Sequence, residues 1–313
     1  MMTLYEELKD LEPFSLSLHD DSDGVYSGAI LSSIFKVKKV EFPEFHEYST
    51  DVAVDLGYPS NPDWNGILID HHPIPKDMKF KCSIYWDNVP TGLILYRHLK
   101  KYFPKEITWY VIGSLTGDGQ PELVPTQIWK QYPILLEERG ILYKFKEVRT
   151  SSYPMFYYLS SGVNAFCRLG NPRRAYELVL ENKDPLDFIE HPEVIDAILF
   201  VRKEEENLYK SRFLVERYGT IVFVRIETTR EEYKFSSLVA SRLYNSEPNL
   251  TFLVLNEKNG RLSIRGYLSN YLVEYLNKYD FKVGGHPGFA GGKIPLERLS
   301  EFTKIMRRIR YEV

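Results

Sequence analysis

The sequence contains few of the residues that stabilise a secreted protein or anchor one in a membrane. It has two cysteines in 313 residues, Cys82 and Cys167, and neither lies in a Cys-x-x-Cys spacing. No apolar run approaches the roughly 18 residues that a membrane span needs. The first residues, MMTLYEELKDLEPF, are acidic and lack the basic-then-apolar order of a signal peptide. We therefore expect a cytoplasmic protein without a membrane segment, whose cysteines are reduced.

Positive charge is not in excess, because the net charge is −3 at pH 7. The total alone therefore does not indicate a nucleic-acid-binding protein. The two parts of the chain differ, however. Residues 1–200 hold 20 Lys and Arg against 29 Asp and Glu, a net charge of −9, whereas residues 201–313 hold 20 against 14, a net charge of +6. An acidic part suits cations and a basic part suits phosphates, although chance also produces asymmetries of this size.

Residues 1–125 alternate short apolar segments with helical ones. PFSLSLH has the pattern of a strand, and the small-residue segment GVYSGAILSSIF after it has the pattern of a helix. Four further buried segments are interpreted as strands: KKVEFPEF, DVAVDLG, GILIDHH and the stretch around WYVIGSLTGD. Residues 126–190 are predicted to be helical, with one helix beginning at Asn171-Pro172. This alternation predicts an α/β fold with a doubly wound parallel sheet in residues 1–190.

The second part of the chain begins with a long charged segment, PEVIDAILFVRKEEENLYKSRFLVER at residues 192–217. Its apolar spacing predicts a long helix, and we assign residues 191–216 as a linker helix between two lobes. Residues 217–313 are predicted to form a smaller α/β lobe. Within it, Asn259-Gly260 favours a hairpin turn between the strands TFLVLN and RLSIRG.

Four acidic or histidine clusters follow the apolar segments of the first lobe. They are His19-Asp20-Asp21-Ser22-Asp23-Gly24, Asp55, Asp70-His71-His72, and Asp118 in GSLTGDGQ. Each cluster alone could be a turn or a helix cap. Ligands of open parallel sheets bind beyond the carboxyl ends of the strands, so four strand ends can converge on one site. In an extended segment, residues 19, 21 and 23 would also point to one side.

Carboxylate and imidazole ligands without thiolates are typical of Mn²⁺ or Mg²⁺ sites. Several carboxylates in one site repel each other unless cations neutralise them. Two ions roughly 3.5–4 Å apart would do so and would activate water for in-line attack on phosphorus. The clusters therefore predict a two-metal centre for phosphoester hydrolysis.

These motifs resemble those of the DHH phosphoesterases. HDDSDG is similar to the first motif of that family, Asp55 in VAVDLG to the second, IDHH to the third, and Asp118 in GSLTGD to the fourth. SGVNAFCRLGNP at 161–172 resembles a segment of RecJ-type exonucleases. SIRG at 263–266 and GGHPGFAGG at 284–292 resemble the appended DHHA1 domain. Val283 and Phe289 stand where that domain usually has glycine and alanine.

The resemblance implies a role for each matching residue. The implied metal ligands are His19, Asp21, Asp23, Asp55, His71 and Asp118, with Asp55 or Asp118 bridging two ions. Asp70 and His72 are implied to orient His71 or to lie near the phosphate. The implied substrate-binding residues are Arg265, His286, Gly284 and Gly285, and more weakly Asn164 and Arg168, of which Arg168 could instead pair with an acidic side chain.

From this resemblance we expect a Mn²⁺-dependent phosphodiesterase, with Mg²⁺ as an alternative ion. It would release mononucleotides from single-stranded DNA or RNA or from short oligonucleotides, as a RecJ-like exonuclease or a nanoRNase. The first lobe would perform hydrolysis and the basic second lobe would hold the substrate. Other members of the family leave open a cyclic-dinucleotide phosphodiesterase or a bisphosphonucleoside phosphatase. A non-catalytic replisome scaffold of the same fold, or an enzyme with a replication or repair partner, is a further alternative.

Overall fold

The computed structural model describes residues 2–44, 46–75, 77–138, 141–143, 146–148, 153–210 and 214–309. Their contacts divide the chain into two units. The first contains residues 1–167 and 171–198, and the second contains residues 168–170 and 199–313. Within the described ranges, none of the helices is both long and apolar enough to cross a membrane.

The first unit contains seven strands and eight helices among its described residues, besides the start of a ninth helix. In chain order they are α1 Leu4–Asp10, β1 Phe14–Leu18, α2 Ser22–Ile34, β2 Val37–Glu41, β3 Val52–Val54, β4 Ile67–Asp70, β5 Ser83–Trp86, α3 Thr91–Leu99, α4 Trp109–Gly117, α5 Thr126–Trp129, β6 Ile141–Tyr143, β7 Lys146–Val148, α6 Phe156–Arg168, α7 Pro172–Glu181 and α8 Pro185–Ile189. Single 3₁₀ turns lie at Lys105–Ile107, Pro121–Leu123 and Pro133–Leu136.

A parallel five-stranded sheet organises the first unit. Its strand order is β2-β1-β3-β4-β5, and every neighbouring pair is parallel. All residues of β3 and β4 are buried, as expected for strands covered on both faces. From β1 the chain moves outward to β2 on one side of the sheet, and from β3 it moves outward to β4 and β5 on the other side. The topological switch point therefore lies between β1 and β3. The predicted parallel sheet and α/β fold class are confirmed.

Two predictions for the first unit were wrong in detail. The segment WYVIGSLTGD, interpreted as a strand, is the helix α4, whose residues 109–116 are all buried. An apolar segment buried on every side shows no periodicity that separates a helix from a strand, which explains the error. Residues 126–190, predicted to be helical, also contain the antiparallel hairpin of β6 and β7. The Asn171-Pro172 start is confirmed, because Asn171 caps α7 and Pro172 is its first residue.

The segment that follows begins with α9 at Pro192–Lys210 and continues into the second unit. The predicted helix over residues 192–217 is too long, because strand β8 occupies Leu214–Tyr218. The remaining elements are β9 Ile221–Ile226, α10 Ser236–Ser246, β10 Thr251–Asn256, β11 Arg261–Arg265, α11 Ser269–Asn277, β12 Val283–His286, β13 Phe289–Lys293, a 3₁₀ turn at Leu296–Arg298, and α12 Leu299–Arg308.

A six-stranded mixed sheet organises the second unit, with strand order β12-β13-β11-β10-β9-β8. Only β9 and β10 pair in parallel among its described strands. The predicted hairpin is confirmed, since β10 and β11 are antiparallel and Gly260 between them has φ +74°. That left-handed conformation suits glycine. The smaller α/β unit agrees with the expectation from the sequence.

Candidate metal centre

The candidate site lies at the switch point of the parallel sheet. His19 follows β1, Asp55 follows β3, and His71 follows Asp70, the last residue of β4. Asp118 comes from the end of helix α4 and not from a strand, which corrects the expectation of four strand ends. The prediction that the clusters lie at strand ends holds for the other three clusters. Parallel strands deliver their carboxyl ends to one edge of the sheet, so these clusters meet there.

Asp21 and Asp23 reach the site from the first turn of α2. Asp21 is the N-cap residue and accepts a hydrogen bond from Gly24 N at 3.0 Å, and Asp23 lies just inside the helix. The expectation of an extended segment from 19 to 23 was therefore wrong, since the helix begins at Ser22. Gly24 permits this arrangement, because a Cβ there would lie 2.4 Å from the carbonyl oxygen of His19.

One group of ligand atoms surrounds Asp55 Oδ2. His19 Nδ1 lies 2.8 Å from Asp21 Oδ2 and 3.5 Å from Asp55 Oδ2. Asp55 is 1% exposed and has φ +61°, an uncommon left-handed conformation for a residue that is not glycine. Its N–H donates to Ile69 O at 3.0 Å, which ties it to β4. Strained backbone of this kind persists where surrounding contacts impose it.

A second group of ligand atoms surrounds His71 Nε2. This nitrogen lies 3.2 Å from Asp55 Oδ1, 3.3 Å from Asp118 Oδ2 and 3.9 Å from Asp23 Oδ2. The two carboxylate oxygens of Asp55 therefore face different groups. Three overlapping groups could hold an ion: His19, Asp21 and Asp55; Asp55, His71 and His72; and Asp23, His71 and Asp118.

The carboxylate of Asp23 is held by four hydrogen bonds. Its Oδ1 accepts from Ser114 Oγ at 2.6 Å, Gly92 N at 3.1 Å and Ser27 Oγ at 3.2 Å, and its Oδ2 accepts from Thr91 N at 2.8 Å. Sequence reasoning missed these four partners. They come from α2, α3 and α4, and no local spacing links them to the motif.

Asp70 organises the segment that carries the two histidines. Its Oδ1 accepts from the backbone N–H of His72 at 2.7 Å and lies 2.8 Å from His72 Nδ1, while its Oδ2 accepts from Gly57 N at 2.6 Å. Asp70 thereby fixes His72 and the loop after Asp55. The indole N–H of Trp86 donates to the carbonyl oxygen of His72 at 2.8 Å, a contact that sequence reasoning also missed.

Burial and crowding change the acidity of the cluster. Burial, together with the charges of Asp23, Asp55 and Asp21, raises the pKa of Asp118 to about 9. Burial and the charge of Asp55 raise the pKa of Asp23 to about 6. Burial lowers the pKa of His71, but its contacts with Asp55, Asp23 and Asp118 outweigh that effect and raise the pKa to about 10. Clustered carboxylates disfavour their charged forms unless a cation compensates them.

The donor set fits divalent cations. The buried atoms Asp55 Oδ1 and Asp118 Oδ2 accept no hydrogen bond within the described residues, although both face the cluster. Buried polar atoms are rarely left without a partner, so such oxygens indicate an ion. Carboxylate oxygens with a few imidazole nitrogens suit Mn²⁺ and Mg²⁺.

Two predicted substrate residues lie near the end of α6. Asn164 Oδ1 accepts a hydrogen bond from the backbone N–H of Ser22 at 3.1 Å, so Asn164 supports the start of α2. Arg168 belongs to the second unit, where its carbonyl oxygen accepts from Lys234 N at 2.8 Å. Burial raises the pKa of Glu205, and the charges of Arg242, Arg168 and Arg202 oppose that shift, so Arg168 has an acidic neighbour.

The other predicted substrate residues lie on β11 and the hairpin of β12 and β13. The guanidinium of Arg265 donates to Ser241 Oγ, Ile264 O and Ala290 O and lies 5.1 Å from the centre of the Phe289 ring. Burial lowers the pKa of Arg265 to about 10, so it stays cationic at neutral pH. A Cβ at Gly284 would meet nothing within 4 Å, whereas Gly285 has φ +145° and lies against Phe289 O. The backbone of His286 pairs with Phe289, and its side chain lies outside the described part of the structure.

The fold is similar to that of several solved structures. No family model and no curated protein matches the sequence. The structure of RecJ from Thermus thermophilus in complex with Mn²⁺ matches 99% of this chain and 54% of its own, with a TM-score of 0.68 and 15% identity. The DHH domain of a protein described as a member of a ribosomal protein family matches 96% of this chain and 86% of its own, with a TM-score of 0.65 and 14% identity. CDC45 from Entamoeba histolytica matches 98% and 97%, with a TM-score of 0.56 and 11% identity.

These similarities define the class of fold. The chain has the fold of RecJ and DHH-domain proteins over nearly its whole length, which confirms at the level of the fold the resemblance to the DHH/DHHA1 family. It spans about half of the RecJ structure, 54% of that chain. The roles of the individual site residues stay predictions.

Proposed function

We propose that this protein is a Mn²⁺-dependent phosphodiesterase that hydrolyses single-stranded nucleic acid or short oligonucleotides to mononucleotides. The observation that carries the proposal is the chain of ligand groups linked through Asp55 and His71, at the switch point of a DHH-type fold. Mg²⁺ is the alternative ion. A cytoplasmic location is part of the proposal, because the two cysteines lie far apart in the sequence and outside any Cys-x-x-Cys spacing.

In this proposal the overlapping ligand groups together hold two ions. His19 and Asp21 would hold the first ion, His71, Asp23 and Asp118 would hold the second, and Asp55 would contact both, because its two oxygens face different groups. When bound, the ions would neutralise the carboxylates, offset the charge that develops on the phosphate oxygens and favour deprotonation of the attacking water.

His72 has a separate role in this proposal. Its Nδ1 lies 2.8 Å from Asp70 Oδ1, so the ring has a fixed orientation. We assign His72 to hydrogen bonding with a phosphate oxygen of the substrate, and Asp70 to positioning His72. A carboxylate that fixes an imidazole next to a metal site typically contributes 10- to 100-fold to metal affinity or activity.

Asp70→Asn is therefore expected to lower kcat/KM about 10- to 100-fold. The amide could keep one acceptor for His72, but its NH₂ group would face the N–H of Gly57 and one hydrogen bond would be lost. Kinetics on a dinucleotide at saturating Mn²⁺, with the Mn²⁺ concentration for half-maximal rate, would measure the effect. Asp87→Asn is the matched control, since Asp87 is an exposed acid after β5 that pairs with Arg97. An unchanged kcat/KM would remove Asp70 from this role.

Arg265 provides a test of the second unit. As a contact to a substrate phosphate, its loss should cost about 1.5–3 kcal/mol, since hydrogen bonds to charged groups are of that size. At about 1.4 kcal/mol per factor of ten, Arg265→Ala should raise the KM for oligonucleotides roughly 10- to 150-fold. The rate on a minimal ester that carries no second nucleotide should stay near the wild-type value.

Arg230→Ala is the control for this measurement, because the side chain of Arg230 is exposed in the same unit and lies 3.7 Å from Glu232. Equal losses on the oligonucleotide and on the minimal ester would contradict the division of roles between the two units. Both variants should keep the wild-type circular dichroism of the whole chain and the wild-type tryptophan fluorescence, which reports the first unit because all four tryptophans lie there.

The experiment that tests the whole proposal is a time course on 5′- and 3′-labelled oligonucleotides of graded length with Mn²⁺. Mononucleotide products that accumulate from one end support an exonuclease, and activity confined to the shortest substrates supports a nanoRNase. Cleavage only of a cyclic dinucleotide or of a bisphosphonucleoside would favour those alternatives. No hydrolysis of any of these substrates would favour a non-catalytic protein of the same fold.

A further inference from the structure

Trp86 is the last residue of β5, at the edge of the parallel sheet, and its backbone pairs with Asp70. It therefore stands next to the segment that delivers His71 and His72 to the candidate metal centre. Its indole N–H donates to the carbonyl oxygen of His72 at 2.8 Å. This hydrogen bond joins Trp86 to a residue whose ring nitrogen lies 3.5 Å from Asp55 Oδ1.

Trp86 remains 48% exposed although its polar atom is engaged. In contrast, Trp64 is 7% exposed and Trp109 is fully buried. An exposed tryptophan on its own needs no explanation. This ring differs because the hydrogen bond fixes one end of it against the backbone of His72 while about half of the residue stays open to solvent. If Trp86 only supported the loop that carries His72, its N–H group would be sufficient, and the exposed ring would have no role.

We propose that Trp86 is a stacking platform for the nucleobase adjacent to the scissile phosphate. This inference rests on the proposed phosphodiesterase function and deepens it, because it names the residue that would hold the base of a nucleotide ester. Aromatic rings bind bases through their faces, and such stacking tolerates every base. A ring held against the segment that carries His71 and His72 would therefore orient a nucleotide without selecting a sequence.

Binding of a product mononucleotide tests the platform without any turnover. Deoxyadenosine monophosphate, added in the presence of Mg²⁺, should quench tryptophan fluorescence of the wild-type protein, and deoxyribose 5-phosphate should not. Trp86→Phe should abolish the quenching, because the other three tryptophans, Trp64, Trp109 and Trp129, are all more deeply buried than Trp86. Equal quenching by both ligands, quenching that persists in Trp86→Phe, or no quenching of the wild type at millimolar nucleotide would each overturn the proposal.

Kinetics separate stacking from a scaffold role. On a dinucleotide, Trp86→Leu should raise KM about 10-fold, which corresponds to about 1.4 kcal/mol, with little change in kcat. Trp86→Phe should retain most of the affinity, because it keeps a ring and loses only the N–H group. Dinucleotides that lack one or the other base provide a further test. For the version that lacks the stacked base, the wild type and Trp86→Leu should have equal KM values.

The matched control is Ile84→Ala. Ile84 is 36% exposed and lies two residues before Trp86 on the same face of β5, but its apolar side chain cannot hydrogen-bond to the His72 loop. It should behave as the wild type. A loss as large as that of Trp86→Leu would indicate a broad apolar surface for a protein partner and would overturn the stacking role.

Two outcomes distinguish this inference from the proposed function. If Trp86→Phe and Trp86→Leu lose equally on all substrates, including the base-free ones, Trp86 positions His72 and the platform is wrong although the enzyme is a phosphodiesterase. If the wild type hydrolyses no nucleotide ester, the proposed function is wrong, while the fluorescence measurement still decides whether a nucleobase binds at Trp86.

Discussion

Replacement of Asp118 by asparagine is expected to reduce kcat/KM for every phosphodiester substrate by at least about 10³-fold. Asp118 Oδ2 faces His71 Nε2 at 3.3 Å and accepts no hydrogen bond within the described residues. The neutral amide keeps the shape of the side chain but removes a charged ligand. Ions in such sites contribute several kcal/mol to transition-state stabilisation, and each factor of ten in rate corresponds to about 1.4 kcal/mol.

The same substitution should leave the metal-free fold intact. Burial and the neighbouring carboxylates raise the pKa of Asp118 to about 9, so the metal-free fold holds this carboxyl protonated at neutral pH, at a cost in stability. The neutral amide does not carry that cost, and the melting temperature in EDTA should be unchanged or slightly higher. The melting temperature should then rise less on addition of Mn²⁺ than that of the wild type. Asp63→Asn is the control, an acid whose side chain is 71% exposed and pairs with Lys81. Normal turnover by Asp118→Asn in Mn²⁺ would refute the proposed centre.

Asp23→Ala is expected to behave differently, with a large loss of stability even without metal. Its carboxylate is fully buried and accepts hydrogen bonds from Thr91 N, Gly92 N and two serine hydroxyls. Each buried donor left without a partner costs about 1–3 kcal/mol. Because the cavity and neighbouring side chains adjust, we expect a loss of about 3–5 kcal/mol in the free energy of unfolding, the range for breaking a buried charged network.

Tryptophan fluorescence during denaturant unfolding in EDTA measures this loss. All four tryptophans lie within residues 1–167, so the signal reports the first unit alone. Ser114→Ala, which removes one donor to Asp23, should cost only about 1 kcal/mol. If Asp23→Ala were as stable as Asp118→Asn, the hydrogen bonds around Asp23 would not carry the stability assigned to them. The contrast is informative because both residues have the same implied role as metal ligands.

Local sequence patterns predicted the strands that are buried along their whole length and the hairpin turn. VAVD and ILID are continuous apolar runs that end in an acid, and both became buried parallel strands with Asp55 and Asp70 at their carboxyl ends. Asn259-Gly260 predicted its hairpin because the turn needs a left-handed residue. The same reasoning failed for α4, since a helix buried on all sides has no polar face to reveal its period.

The predicted linker helix was wrong at its C-terminal end for a related reason. Residues 192–217 carry a helical pattern throughout, but Leu214–Tyr218 pair with β9 as strand β8. The partner strand lies later in the chain, and its hydrogen bonds override the local helical preference. The cluster His19 to Asp23 was likewise predicted to be extended, although Asp21 caps α2.

The sequence by itself determined which chemical groups are available at this site. Carboxylates and imidazoles without thiolates, placed after buried strands, predict hard divalent cations whatever the details of packing. Only the tertiary structure decided which of these groups have hydrogen-bond partners within the protein. Asp23 accepts hydrogen bonds from partners 68 and 91 residues away, whereas Asp55 and Asp118 each keep a buried oxygen without a hydrogen-bond partner among the described residues. Trp86 reaches His72 across 14 residues. Such distant contacts arise from packing of the whole unit, and local spacing carries no information about them.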